Sequence, residues 1–163
     1  MIDEHLKILK FMSEMTAKTD TNAFAQKMDL TSAQLVHHMQ DLVKEGYLKR
    51  VGEGFAISEK GKKVLKSIKP LPENLNFHFY LALGEPINLH AASVREFRDH
   101  ALAVNAVSLE FHFYRSDFEN WFQNAVVDAA FVEELSKLKK KDLRGEDLRK
   151  ALVKALEAEF IFF

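Results

Sequence analysis

The chain has 163 residues, of which 47% are hydrophobic and 29% charged, with a formal net charge of −1. This is the composition of a folded globular protein rather than of a disordered segment. It holds no cysteine, which excludes a disulfide scaffold, a thiolate zinc finger, an iron–sulfur cluster and a cysteine nucleophile. The opening Met-Ile-Asp-Glu lacks the basic and apolar regions of a secretory signal, and no apolar run approaches the ~18 residues of a membrane span. A cytoplasmic protein with no membrane partner is therefore expected.

The small net charge conceals a division. Residues 1–70 carry twelve Lys/Arg against nine Asp/Glu, whereas residues 71–163 carry eleven against fifteen, and eleven of the fourteen phenylalanines follow position 70. One half is mildly basic, the other acidic and Phe-rich, which suggests two units with different work. Lys69-Pro70-Leu71-Pro72-Glu73-Asn74 holds two of the three prolines. Proline lacks the backbone donor and disfavours helix in the residue before it, so a helix is predicted to end near Ile68. The expected organisation is a domain over 1–68, a linker over 69–75 and a second domain over 76–163.

In the first half, Ile2, Leu6, Leu9 and Met12 mark one face of a first helix. Thr21-Asn22 offers the cap of a short second helix with Phe24 and Met28 inward. Thr31 and Ser32 can cap a third, whose apolar stripe is Leu35, Met39, Leu42 and Val43, and which stops at Glu45-Gly46. Tyr47–Val51 and Phe55–Ile57 flank Gly52-Glu53-Gly54 as a β-hairpin. A fourth helix starts at Ser58-Glu59-Lys60-Gly61 with Val64, Leu65 and Ile68 apolar. Three helices, a hairpin and a helix is the order of a winged helix-turn-helix.

Three stretches, Leu30-Thr31-Ser32-Ala33-Gln34-Leu35, Leu42-Val43-Lys44-Glu45-Gly46-Tyr47-Leu48 and Phe55-Ala56-Ile57-Ser58-Glu59-Lys60-Gly61, resemble the winged-helix transcription regulators of prokaryotes, in particular archaeal-type ones. The resemblance covers about residues 2–68. It implies double-stranded DNA as partner, with the third helix in the major groove and the hairpin against the backbone. On that footing Thr31, Ser32, Ala33, Gln34, His37 and His38 would face bases or phosphates. Gln34 would pair bidentately with adenine, and Lys44, Lys49 and Arg50 would meet phosphates. Two departures weigh against strong binding: His37 stands where many relatives carry arginine, and Glu53 stands at the wing tip. The modest positive balance predicts moderate, salt-dependent affinity. The alternative is a protein–protein interaction module whose winged helix does not bind DNA. Adjacent helix positions point about 100° apart, so His37 and His38 do not form a metal pair, and no metal or cofactor is expected.

In the second half Phe-His-Phe-Tyr occurs at 77–80 and again at 111–114, and is read as one packing solution used twice. Ser93-Val94-Arg95-Glu96 and Ser116-Asp117-Phe118-Glu119 read as capping boxes. They introduce helices with Val94, Phe97 and Leu102, then Phe118, Trp121, Phe122 and Val126, apolar. Phe131, Leu135 and Leu138 mark a further helix, and Leu148, Ala151, Leu152, Ala155 and Leu156 a last one. The predicted fold is mainly α with a small β-hairpin wing, the second half being a helical bundle. Phe77–Tyr80, Ser108–His112, Arg115–Trp121 and Gly145–Arg149 resemble an uncharacterised helical domain family found in archaeal and bacterial proteins, which implies architecture and no established activity.

His112, Arg115 and Asp117 could hold an anion or move a proton, but an Arg–Asp pair fixing a helix corner accounts for them, and no catalytic site is expected. The ending Glu159-Phe160-Ile161-Phe162-Phe163 must either fold back or cross to a partner chain, since each buried apolar side chain is worth about 1.5–3 kcal/mol. The expectation is a homodimeric DNA-binding transcription regulator or nucleoid-associated protein. Its second domain would dimerise or bind a small-molecule effector or partner protein.

Overall fold

The computed structural model describes residues 2–15 and 20–162. The protein is mainly helical with two small antiparallel hairpins, and it divides into two compact units, one running to Leu65 and the other Lys66–Phe162. No helix among the described residues is long and apolar enough to cross a membrane.

The first unit contains α1 (Asp3–Glu14), α2 (Thr21–Lys27), α3 (Ser32–Lys44), β1 (Leu48–Val51), β2 (Gly54–Ile57) and the start of α4 (Glu59–Ile68). Its core gathers Ile8, Leu9, Phe24, Ala25, Leu35, Met39, Leu42 and Leu48. The inner face of α1 keeps Leu9 and Met12 from the expected stripe and adds His5 and Ile8, while Ile2 is half exposed. An apolar template passes over a histidine, so the expected stripe misses His5, which joins Leu9 and Met12 on the inner face. Asp20 rather than Thr21 caps α2, accepting from the Ala23 N–H at 2.9 Å. The segment 16–19 lies outside the described residues.

At the end of α3, Gly46 adopts φ +87°, a left-handed conformation that a Cβ would penalise. The hairpin pairs Leu48 with Ile57 through Val51 with Gly54. Ser58 then ties the start of α4 to the end of α3: its hydroxyl donates to the Gly46 carbonyl and accepts from the Gly61 N–H at 3.1 Å. Gly61 is the position where α4 meets this corner, and a Cβ there would lie 2.3 Å from the Tyr47 carbonyl oxygen.

The second unit opens with Leu71 hydrogen-bonded to the Ala92 carbonyl at 2.7 Å and a single 3-10 turn at Glu73–Leu75, so residues in the expected linker are tied into this unit. It continues with β3 (Phe77–Ala82), β4 (Glu85–Ala91), α5 (Val94–Ala103), α6 (Ala106–Tyr114), α7 (Asp117–Trp121), a π-helical turn (Phe122–Val126), α8 (Ala129–Lys139) and α9 (Gly145–Glu159). The β3–β4 hairpin adds two strands to what was expected as a mostly helical bundle. The two Phe-His-Phe-Tyr copies are likewise not one packing solution. In β3 the two-residue period buries Phe77 and Phe79 and exposes His78. In α6 the helical period buries His112 and Phe113. Alternation with Leu81 and a Leu83-Gly84 turn favour strand for the first copy, whereas Leu109 completes a helical face for the second.

The core of this unit is aromatic. Phe97 stacks on Trp121 with ring centroids 5.2 Å apart and meets Phe77, Phe118 and Phe122 edge-on, arrangements favoured by the ring quadrupoles. Trp121 donates its indole N–H to the Leu75 carbonyl at 2.7 Å. Ser93 caps α5 as expected, accepting from the Glu96 N–H, while the Glu96 carboxylate accepts from the Ala92 N–H. Leu102, expected inward, is half exposed, and Ala101 and Val104 take its place.

The second expected capping box does not form. Ser116 is left-handed at φ +67° and makes no side-chain cap; its hydroxyl accepts from the Lys139 ammonium at 2.7 Å, and Glu119 pairs with that same lysine. Residues 160–162 fold back, Phe163 lying outside the described residues: Phe160 is buried beside Phe122 and Phe131, the Ile161 carbonyl accepts from Ser67, and the Arg98 guanidinium lies over the Phe162 ring.

Candidate nucleic-acid interface

Thr31 begins α3 with a complete capping box. Its hydroxyl accepts from the Gln34 N–H at 3.1 Å, and the Gln34 amide oxygen accepts from the Thr31 N–H at 2.9 Å. Such a cap fixes the entry of the helix and satisfies two of its orphan donors. The Ser32 hydroxyl donates to the Asn22 side chain of α2, so the turn between the two helices is held by side chains as well as by core packing.

From this start, burial of Leu35, Met39 and Leu42 turns Ala33, Gln34, His37, Gln40 and Lys44 outward, and all five are exposed. Ala33, His37, Gln40 and Lys44 follow one another at four, three and four residues, which is a single helix face. Gln40 does not figure among the residues expected from sequence, although its place three residues after His37 puts it on this row. His37 extends from the helix and faces Asp41 one turn on, with Nε2 3.5 Å from the carboxylate. On β1 both Lys49 and Arg50 are exposed, and the Arg50 guanidinium rests 5.0 Å from the centre of the Phe55 ring on β2. Glu53 is exposed in the hairpin turn.

Three of the residues expected to face DNA are placed differently. The Gln34 amide oxygen is engaged in the capping box, so a bidentate grip on adenine, which needs that oxygen as acceptor, would require the box to open. Ser32 is half-buried against α2. His38 turns from the outer row toward α1, where its ring meets that of buried His5 edge-on at 5.3 Å. A position one residue beyond His37 is carried to another side of the helix.

A cleft of about 1280 Å³ opens in the same unit, with Met12, Phe24, Met39 and Phe55 among its apolar lining and Asp20, Lys49, Glu53 and Lys62 at its charged positions.

In the second unit His112, Arg115 and Asp117 do come together. The Asp117 carboxylate takes the His112 Nδ1–H at 2.9 Å and the Arg115 Nε–H at 3.3 Å. His112 Nε2 accepts the backbone N–H of Tyr80 at 2.8 Å, where the β3–β4 pairing shifts register. Burial holds this imidazole below its ordinary pKa despite the neighbouring carboxylate. The ring is thus neutral, 3% exposed, and engaged through both nitrogens. It joins the irregular strand to the α6–α7 corner, and its hydrogen-bonding capacity is used up in doing so.

Comparison with protein-family models, with curated proteins and with solved structures finds no match for this chain.

Proposed function

We propose that the first unit is a winged helix-turn-helix that binds double-stranded DNA, α3 entering the major groove and the β1–β2 hairpin lying along the backbone. The protein would act in the cytoplasm as a transcription regulator or nucleoid-associated protein. The observation that carries this reading is the exposed row Ala33, Gln34, His37, Gln40 and Lys44 on a helix capped and anchored at its start, with Lys49 and Arg50 exposed on the adjoining strand. Such a helix offers polar groups for base edges, and the three cations suit phosphates. Thr31 and Ser32 serve this reading by positioning the helix, and His38 by packing behind it. The second unit would join two chains or receive an effector or partner protein, a role for which exposed Leu102 and Val107 offer apolar surface.

The test is fluorescence anisotropy of labelled duplex DNA with the full chain at several salt concentrations, with unlabelled bulk DNA as competitor. Affinity should fall steeply as salt rises. Changing both Lys49 and Arg50 to Ala should weaken binding to all sequences and lower the salt slope by about one for each phosphate no longer neutralised. Substituting His37 or Gln40 by Ala should alter the preferred sequence. Absence of salt-dependent binding at low ionic strength would refute the proposal. The second reading, a protein-interaction module, would then stand. It is favoured by the apolar cleft beside the hairpin and by Glu53 at the turn, where a carboxylate repels phosphate.

A further inference from the structure

We propose that His5, His38 and Asp41 form a binding site for a first-row divalent transition-metal ion of the zinc type, where α1 packs on α3. One potential ligand atom from each of the three residues lies within 4.8 Å of the other two. A tetrahedral site with zinc–ligand bonds near 2.0–2.2 Å separates ligand atoms by roughly 3.3 Å. The cluster needs to contract by at most about 1.5 Å, which lies within reach of side-chain rotation.

A second observation points to a ligand. His5 is 4% exposed, and neither of its ring nitrogens has a hydrogen-bond partner; the buried Nδ1 of His38 has none either. Buried polar atoms are nearly always satisfied, and leaving one unpaired costs about 1–3 kcal/mol. Each neutral imidazole has one lone-pair nitrogen, so His5 and the buried Nδ1 of His38 can offer one coordinating nitrogen each, and neither has a partner. Glu45, one helical turn beyond Asp41, brings a carboxylate oxygen to 3.6 Å from His5 Nδ1 and is available as a fourth ligand.

The local structure explains how the set assembles. His38, Asp41 and Glu45 recur at three and four residues along α3 and share a face. α1 packs on that face and inserts His5. Burial lowers the pKa of His5, and a neutral imidazole is the form that binds metal. Two imidazoles and a carboxylate suit Zn²⁺, Co²⁺ or Ni²⁺, whereas Mg²⁺ and Ca²⁺ prefer all-oxygen sites and the thiophilic Cu⁺ prefers thiolates.

The experiment uses the full chain freed of metal by chelation. Zn²⁺ is titrated by isothermal calorimetry, Co²⁺ by its visible absorption, and Mg²⁺ serves as the control ion. One equivalent of Zn²⁺ should bind, Co²⁺ should develop the intense bands of a low-symmetry site, and Mg²⁺ should give no signal. His38→Ala and Asp41→Asn should each weaken Zn²⁺ binding by about 100-fold or more, since even groups supporting a ligand contribute 10–100-fold. The double change His78→Ala and His90→Ala removes an exposed cross-strand pair and should leave the isotherm unaltered. Asp41→Asn preserves size and shape, so the test does not depend on how well a histidine variant folds. No stoichiometric Zn²⁺ binding by the wild-type chain, or an unchanged isotherm in Asp41→Asn and His38→Ala, would overturn the proposal.

Discussion

Replacing His112 by Phe isolates what the buried imidazole does, because the ring and its aromatic surroundings are kept while both hydrogen bonds are removed. In the native protein Phe77 and Phe118 lie 4.9 and 5.7 Å from the His112 ring centre, so an apolar ring is compatible with the site. The variant leaves the Tyr80 N–H without its acceptor, a loss of about 1–3 kcal/mol for a buried donor. Asp117 forfeits one partner but keeps Arg115 and is partly solvated, which adds about 1 kcal/mol at most. Together the second unit should lose about 1–4 kcal/mol. The chain has a single tryptophan, Trp121, inside this unit's core, so urea unfolding followed by its fluorescence reads the unit directly. The control is His78→Phe, which alters the same tetrapeptide on the exposed face of β3 and should leave the midpoint where it is. A loss below about 1 kcal/mol in His112→Phe, or an equal loss in His78→Phe, would refute the assignment of His112 as the clasp between strand and helix corner.

Two further outcomes follow from the same geometry. Because burial depresses the folded-state pKa of His112, the unfolded chain takes up a proton at a pH where the folded one does not. The associated stability is full above the ordinary histidine pKa near 6.5 and is lost as pH falls from there toward the folded value. Unfolding free energy measured by Trp121 fluorescence should therefore fall more steeply between pH 7 and pH 5 in the wild type than in His112→Phe; parallel curves would exclude His112 as the source. In the first unit, Gly61→Ala places a methyl against the Tyr47 carbonyl, a backbone atom with little freedom to move. The expected cost of about 1–3 kcal/mol exceeds the 0.5–1 kcal/mol that alanine gains over glycine in a helix. Amide hydrogen exchange in β1 and β2 should accelerate, and unchanged or slower exchange would show that the corner can relax.

Chemistry local in the chain was legible before any coordinates. The Thr31 cap, the Gly46 stop, the hairpin between Leu48 and Ile57, the end of α4 at Ile68 and the apolar faces of α3, α8 and α9 all follow from residues within a few positions of one another. Local backbone preferences and periodicity act at that range. The exposure of Ala33, Gln34, His37 and Lys44 was legible for the same reason, since burying Leu35, Met39 and Leu42 turns the opposite side chains outward, whereas Gln40 was not named and His38 packs toward α1.

What the tertiary structure decided depends on partners distant in sequence. Phe-His-Phe-Tyr is a strand at 77–80 and a helix at 111–114, and the two copies meet through Tyr80 and His112; four residues cannot carry that distinction, because the surrounding period selects which of them are buried. Ser116 followed a capping pattern, yet Lys139 from α8 claims both Ser116 and Glu119. His5 and His38 stand 33 positions apart, and nothing in the sequence signals that the two meet. Only packing of α1 on α3 sets their unpaired nitrogens beside Asp41. Side-chain chemistry is written residue by residue, but which groups are deprived of water and brought face to face is settled by long-range packing.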